Sequence, residues 1–240
     1  MQEIKDYQIL LFGIALALGL IISTSIMSKT LSRTGIEVTG SANQVVDSNF
    51  ASWRLEYSVN DASTVNAYIE ITRQAKIIHN FLLSHKITEK EITVDQISSY
   101  PVYKTSPSGV STNQVDYYRF SKAFIVNSNN VEKITSISQD SQSLFAQGIQ
   151  IESNKPQYFY TKLDDLKVTL LEKATENAKD RAKSMLKSTG NNVGSIKSSK
   201  MGVFQITPVN STEVSDYGIN DTSSVQKKVT AVVQTVFRIK

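Results

Sequence analysis

The side chains able to do covalent or acid–base work are few in this sequence, and their spacing keeps them apart. There are 2 histidines, His79 and His85. Six residues along a helix turn through roughly 600°, so the two rings would point about 240° apart and could not share a metal ion. His79 borders an apolar stripe, the position of a core-edge histidine, and His85 closes the same helical pattern, where a cation suits the helix dipole. The chain has no cysteine, which excludes thiol catalysis, iron–sulfur clusters and cysteine-based zinc sites. No serine sits in a nucleophile-elbow pattern. Walker and G-x-G-x-x-G loops are absent, and the 10 glycines fall mostly at turns and caps. Asp164-Asp165 opens a helical pattern, where paired acids serve capping and the macrodipole. Asp216 to Asp221 imitates a calcium loop but lacks its alternating oxygen ligands and final bidentate acid. The expectation is therefore a non-enzyme with no catalytic residue, no cofactor, no metal and no identifiable small-molecule substrate.

The aromatic residues are more suggestive. Tyr100, Tyr103, Tyr117, Tyr118, Tyr158 and Tyr160 fall in or beside strand-like runs, and Tyr217 falls in a polar loop. On paired strands such residues stabilise a sheet face by cross-strand contact. Tyrosine also offers large, rigid contact area with a polar tip, the property of a protein interface. Tyr117 and Tyr118 are adjacent, so in a strand they face opposite ways and one of them needs a partner other than the main core. These seven tyrosines are the candidate interface.

The elements that must position them read as follows. A strand begins at Ile36, and Ala51, Trp53, Leu55, Tyr57 and Val59 alternate along a second. Asp61 reads as the N-cap of a helix to about residue 85, with Val65, Tyr68/Ile69, Thr72, Ala75, Ile78/His79 and Leu82 on its apolar stripe. Residues 92–104 and 114–127 read as a long hairpin joined by a turn-rich link, with Tyr118, Phe120, Phe124 and Val126 on one face. Asn129, with Glu132 three residues on, reads as the cap of a helix ending near Gly148. Short strands follow at 149–152 and 157–160. Thr161 to Asp164 then caps the longest soluble helix, which runs to Gly190 with Leu166, Leu170, Ala174, Ala178, Ala182, Met185 and Leu186 inward. Strands at 195–206 and 228–239 flank a polar loop, residues 207–227, long enough to be either a flexible connection or a packed contact segment. Strand runs interleaved with helices, without strict βαβ alternation, indicate an α+β fold.

No charge occurs between Asp6 and Lys29, and the intervening run is almost wholly apolar. About 20 such residues span a hydrocarbon core as a helix. The organisation expected is a tail at 1–7, a transmembrane anchor at 8–28, a linker at 29–35 and one folded domain at 36–240. A cleaved signal peptide is the alternative, with Ser23-Thr24-Ser25 as a loose cleavage site. Bulky Ile26 and Met27 and a weakly basic start favour the anchor. The net charge is +4 with its positives scattered, unlike the basic stripe of a nucleic-acid binder.

Ile36-Glu-Val-Thr-Gly-Ser-Ala, the spacing of Ala174, Ala178, Arg181, Ala182, Gly190, Val193 and Gly194, and the closing strand from Val229 to Phe237 resemble, in that order, the SIMPL-domain family. Residues 156–167 and 201–233 resemble a membrane-anchored bacterial subgroup of it. The resemblance implies an antiparallel sheet with helices packed on it, and a periplasmic or envelope location. Together with the apolar segment it points to a single-pass protein of the bacterial inner membrane whose C-terminal domain is extracytoplasmic. One member of the family is an immunogenic antigen, at least one assembles into a large channel-like ring, and some are linked to oxidative-stress tolerance. No catalytic residue carries over. A homo-oligomeric scaffold or channel-like assembly is the function expected, and an extracytoplasmic sensor or adaptor that binds a ligand or protein is the alternative.

Overall fold

The computed structural model describes residues 13–25, 35–152 and 155–240. Residues 13–25 form a helix, α1, whose side chains are all exposed. Among the described residues no helix is long and apolar enough to cross a membrane. Residues 8–12 and 26–28 of the expected anchor, like the 1–7 tail and most of the linker, lie outside the described residues.

The chain divides into two compact units. One is made of Gln44–Leu166 and Gln205–Val229, the other of Met1–Asn43, Lys167–Phe204 and Thr230–Lys240. The α+β class holds. The one antiparallel sheet expected is in fact two, of six and five strands, and one pair is parallel.

In the unit containing Gln44–Leu166, β2 (Phe50–Asp61) pairs with β5 (Ser111–Ser128) from Ala51↔Ser128 to Asp61↔Tyr118. The far edge of β5 carries β3 (Ile92–Val94) and β4 (Ser98–Thr105), and that of β2 carries β6 (Gln150–Ile151) and β7 (Gln157–Phe159). The alternating row Ala51, Trp53, Leu55, Tyr57 and Val59 is buried, as the period of two requires. It packs with Phe120, Phe124 and Val126 against α2 (Thr64–Ser84) and α3 (Val131–Asp140). Fully burying a side chain such as Leu55 stabilises by about 1.5–3 kcal/mol.

Helix α2 departs from its sequence reading in two ways. Its N-cap is Ser63, whose hydroxyl accepts from the Asn66 N–H at 3.4 Å. Asp61 instead ends β2 and accepts from the Ser63 N–H at 2.7 Å, bracing the cap from two residues upstream. The buried row is Ala67, Ile71, Gln74, Ile78 and Leu82, so Val65, Tyr68 and Ile69 face outward. The α3 cap is likewise one residue later than expected, with Asn130 Oδ1 accepting from the Lys133 N–H at 2.9 Å. A 3-10 segment, Ser141–Gln147, continues α3 to Gly148, whose φ of 76° makes it a left-handed cap.

The polar loop in this unit is pinned through its second half. Within it β10 (Ile219–Asn220) pairs parallel with β9 (Gln205–Pro208). The Asp221 carboxylate accepts from the N–H (2.8 Å) and hydroxyl (2.7 Å) of Ser223 and from the Ser224 hydroxyl. Buried Lys227 donates to the Asp221 and Ser224 carbonyls at 2.6 and 2.7 Å and pairs with the Asp221 carboxylate at 3.4 Å. Burial pulls the ammonium below its usual pKa against the opposing pull of Asp221.

In the other unit, α4 (Leu163–Lys187) lays Leu170, Ala174, Ala178 and Ala182 inward. Met185, expected on that stripe, is exposed. β1 (Gly35–Asp47) and β8 (Val193–Met201) both pair with β11 (Gln226–Ile239), β8 antiparallel with two register shifts. Gly40 of β1 passes directly against α4, where the Arg181 guanidinium donates to the Thr39 carbonyl at 2.9 Å and Asn177 Oδ1 accepts from the Ser41 N–H at 3.1 Å.

Candidate functional site

The strand β5 is longer than its partner β2. Pairing with β2 stops at Asp61↔Tyr118, whereas pairing with β4 continues to Thr105↔Ser111. Residues 111–117 and their β4 partners therefore leave the sheet as a two-stranded arm, about 20 Å long at the ordinary rise per residue. The turn is closed by the Ser106 N–H on the Val110 carbonyl at 2.8 Å, with Gly109 at φ 82°.

The register sets the aromatic geometry. Tyr100 lies opposite Arg119 and Val102 opposite Tyr117, on one face, and Pro101 lies opposite Tyr118 on the other. A shift after Val102 sets Tyr103 opposite Val115. Tyr118 packs against the core. Tyr100 (51% exposed), Tyr103 (45%) and Val115 do not, and Val110 at the tip is also exposed. Two-stranded ribbons are marginal alone in water, and among the described residues no layer covers the apolar face of this one. Among the described residues no strand covers the outer edge of β4. Pro101 and Lys104 interrupt that edge, in the manner that deters strand addition. The arm thus offers a face for contact in preference to an edge.

A second apolar surface starts at its base. α2 begins three residues after Asp61, the partner of Tyr118, and shows Val65 (64% exposed), Tyr68 and Ile69 (60%) outward. Their spacing is that of one helical stripe. The sequence reading took that stripe for the core, because a pattern alone does not say which of two apolar stripes meets the sheet.

Four of the seven candidate tyrosines, Tyr100, Tyr103, Tyr117 and Tyr118, lie on the paired strands β4 and β5, with Tyr118 on the face opposite Tyr117 and against the core. Tyr158 is buried, its hydroxyl bonded to Thr135 Oγ1 at 2.9 Å, and it pairs with Ala51. That is the opposite end of β2 from the arm, roughly 30 Å away along the strand. Half-buried Tyr160 follows β7 at that end. Tyr217 is 98% exposed on the loop before β10.

Among the described residues the two histidines have ordinary surface contacts. His79 Nε2 lies 3.1 Å from Glu89. Ser84, His85 and Asp140 come nearest to a triad, with Ser84 Oγ 3.3 Å from His85 Nδ1 and His85 Nε2 3.7 Å from Asp140. Yet His85 Nδ1 also lies 2.9 Å from the Phe81 carbonyl. Only a protonated Nδ1 satisfies that contact, so the ring presents no lone pair to Ser84. Ser84 itself donates to the same carbonyl at 2.7 Å. The group is a helix C-terminus closing its own carbonyls. Among the described residues no group of three or more His, Cys, Asp or Glu side chains is placed to hold a metal ion.

A family model, SIMPL, described as a protein of unknown function (DUF541), matches residues 36–237. The chain belongs to the SIMPL family. The match runs from the start of β1 to near the end of β11 and so takes in strands and helices of both units. A search of curated proteins found no match. The residues that suggested the SIMPL likeness have a structural cause, since Gly40 and the alanines of α4 make the close contact described above. They are packing residues.

Proposed function

We propose that this SIMPL protein is a non-enzymatic component of the bacterial cell envelope. Residues 8–28 tether it to the inner membrane in a single pass, its C-terminal part is extracytoplasmic, and copies assemble into a homo-oligomeric scaffold or channel-like body. The arm of β4 and β5 carries the assembly reading, because an uncovered ribbon bearing Tyr100, Tyr103 and Val115 reaches stability by packing on another surface. The outward stripe of Val65, Tyr68 and Ile69 on α2 is a second exposed apolar surface, on the helix side of the sheet. Support for the tether comes from α1, whose leucines and isoleucines are all exposed, and from Thr24, whose hydroxyl is satisfied by the Leu20 carbonyl at 2.8 Å. A hydroxyl closed on its own helix backbone suits a hydrocarbon environment.

Light scattering of the full chain in detergent tests the assembly. A particle of several chains is expected, and Tyr100→Ser with Tyr103→Ser shifts it toward single chains. A full-length protein that stays monomeric at high concentration contradicts the reading.

A further inference from the structure

The inward row of β5 runs Tyr118, Phe120, Lys122, Phe124 and Val126, set opposite Asp61, Val59, Tyr57, Leu55 and Trp53. Lys122 breaks this row. It stands between two buried phenylalanines and opposite fully buried Tyr57, on the sheet face that packs against α2. A lysine stem there is set among apolar side chains, and a cation in such a row is normally repaid by an ion pair or hydrogen bonds. Among the described residues Lys122 has neither, and it is only half-exposed. A local rule broken without compensation marks a position kept for another purpose.

The surroundings indicate the purpose. Lys122 lines a pocket of ≈ 400 Å³ between α2, β3 and β5, with Lys76, His79, Asn80, Val94 and Phe124. That volume lies within the range of small-ligand sites. Lys76, on α2, is also without an ion pair among the described residues. The His79 ring stands 6.4 Å from that of Phe124, and its Nε2 is turned to Glu89 at 3.1 Å. Lys122 and exposed Lys76 therefore line an open concavity together with exposed Val94 and the edge of the buried Phe124 ring. Such a site takes a negative group at one end and an apolar body at the other.

We propose that this pocket binds a small organic carboxylate. Its charged group lies between Lys122 and Lys76, Asn80 supplies a further hydrogen bond, and its apolar part rests on Phe124 and Val94. The site is separate from the arm and does not depend on the assembly reading.

Fluorine NMR of the full-length protein in nanodiscs tests this with 4-fluorobenzoate, its neutral counterpart 4-fluorobenzamide and Lys122→Met. The benzoate is expected to bind saturably and the benzamide at least about ten-fold more weakly, the worth of a charge-assisted hydrogen bond. Lys122→Met should weaken the benzoate by a similar factor. Because an unpaired cation is removed from an inward row, the same variant should also unfold at a temperature equal to or above that of the wild type. Equal binding of acid and amide, binding that survives Lys122→Met, or no saturable benzoate binding overturns the proposal. So does a lower unfolding temperature of Lys122→Met, which would make Lys122 a packing residue whose stem covers Phe124.

Discussion

Gly40 and Ala174 meet backbone to backbone: a Cβ added at Gly40 would stand 2.1 Å from the Ala174 carbonyl oxygen and 2.5 Å from the Ala178 nitrogen. No side chain can move aside there, because the obstacles are helix backbone. Gly40→Ala must push β1 from α4, breaking the Arg181–Thr39 and Asn177–Ser41 bonds on either side. A loss of about 3 kcal/mol or more is expected, at or beyond the upper end of ordinary overpacking. Chemical denaturation reads it. A cost below about 1 kcal/mol would show that β1 and α4 are not in this contact.

The latch at Asp221 gives the fold an acid limit. Burial alone would raise the Asp221 pKa, but hydrogen bonds from Ser224 and Ser223 and the charge of Lys227 outweigh it and hold the carboxyl well below its usual range. With the folded pKa depressed, the unfolded chain takes up the proton first as pH falls. The stabilisation is complete above the unfolded value, near ~4, and drains away below it. Asp221→Asn should lower stability at pH 7 and flatten the loss between about pH 5 and pH 2. Urea midpoints across that interval check this, and an unchanged acid slope in Asp221→Asn would contradict it.

On α2, two neighbouring isoleucines should behave oppositely. Ile71 is fully buried against the sheet, and Ile69 is largely exposed. Ile71→Ala is expected to cost about 2–5 kcal/mol, and Ile69→Ala to stay within about 0.5 kcal/mol in the isolated chain. Thermal denaturation of the two variants decides it, and comparable losses would mean that the helix is rotated.

Those residues show why some of the fold was legible and some was not. Trp53, Leu55 and Tyr57 declared β2 because a strand has only two faces, and only one of them was apolar. α2 offers two apolar stripes, and the buried one is marked by Ala67 and Gln74, residues without a strong hydrophobic signal, so the louder stripe of Val65, Tyr68 and Ile69 misled. Asp61 and Ser63 are both good caps two residues apart, and only the pairing of Asp61 with Tyr118 assigns the first to the strand. The tyrosines of the arm were visible as a group. Their separation from Tyr158 was not, because it depends on β7 pairing with the opposite end of β2. Lys122 was overlooked because a lone lysine in a strand reads as an outward residue, although the even spacing from Phe120 and Phe124 already set it inward.

Photo-crosslinking from position 100, in the full-length protein and in native membranes, tests the account most directly. A photoreactive phenylalanine replacing Tyr100 reports what covers the arm. A ladder of crosslinked chains of this protein, confined to the membrane fraction, is the predicted result. A photoproduct of single-chain size alone, or protein recovered only outside the membrane fraction, would contradict it.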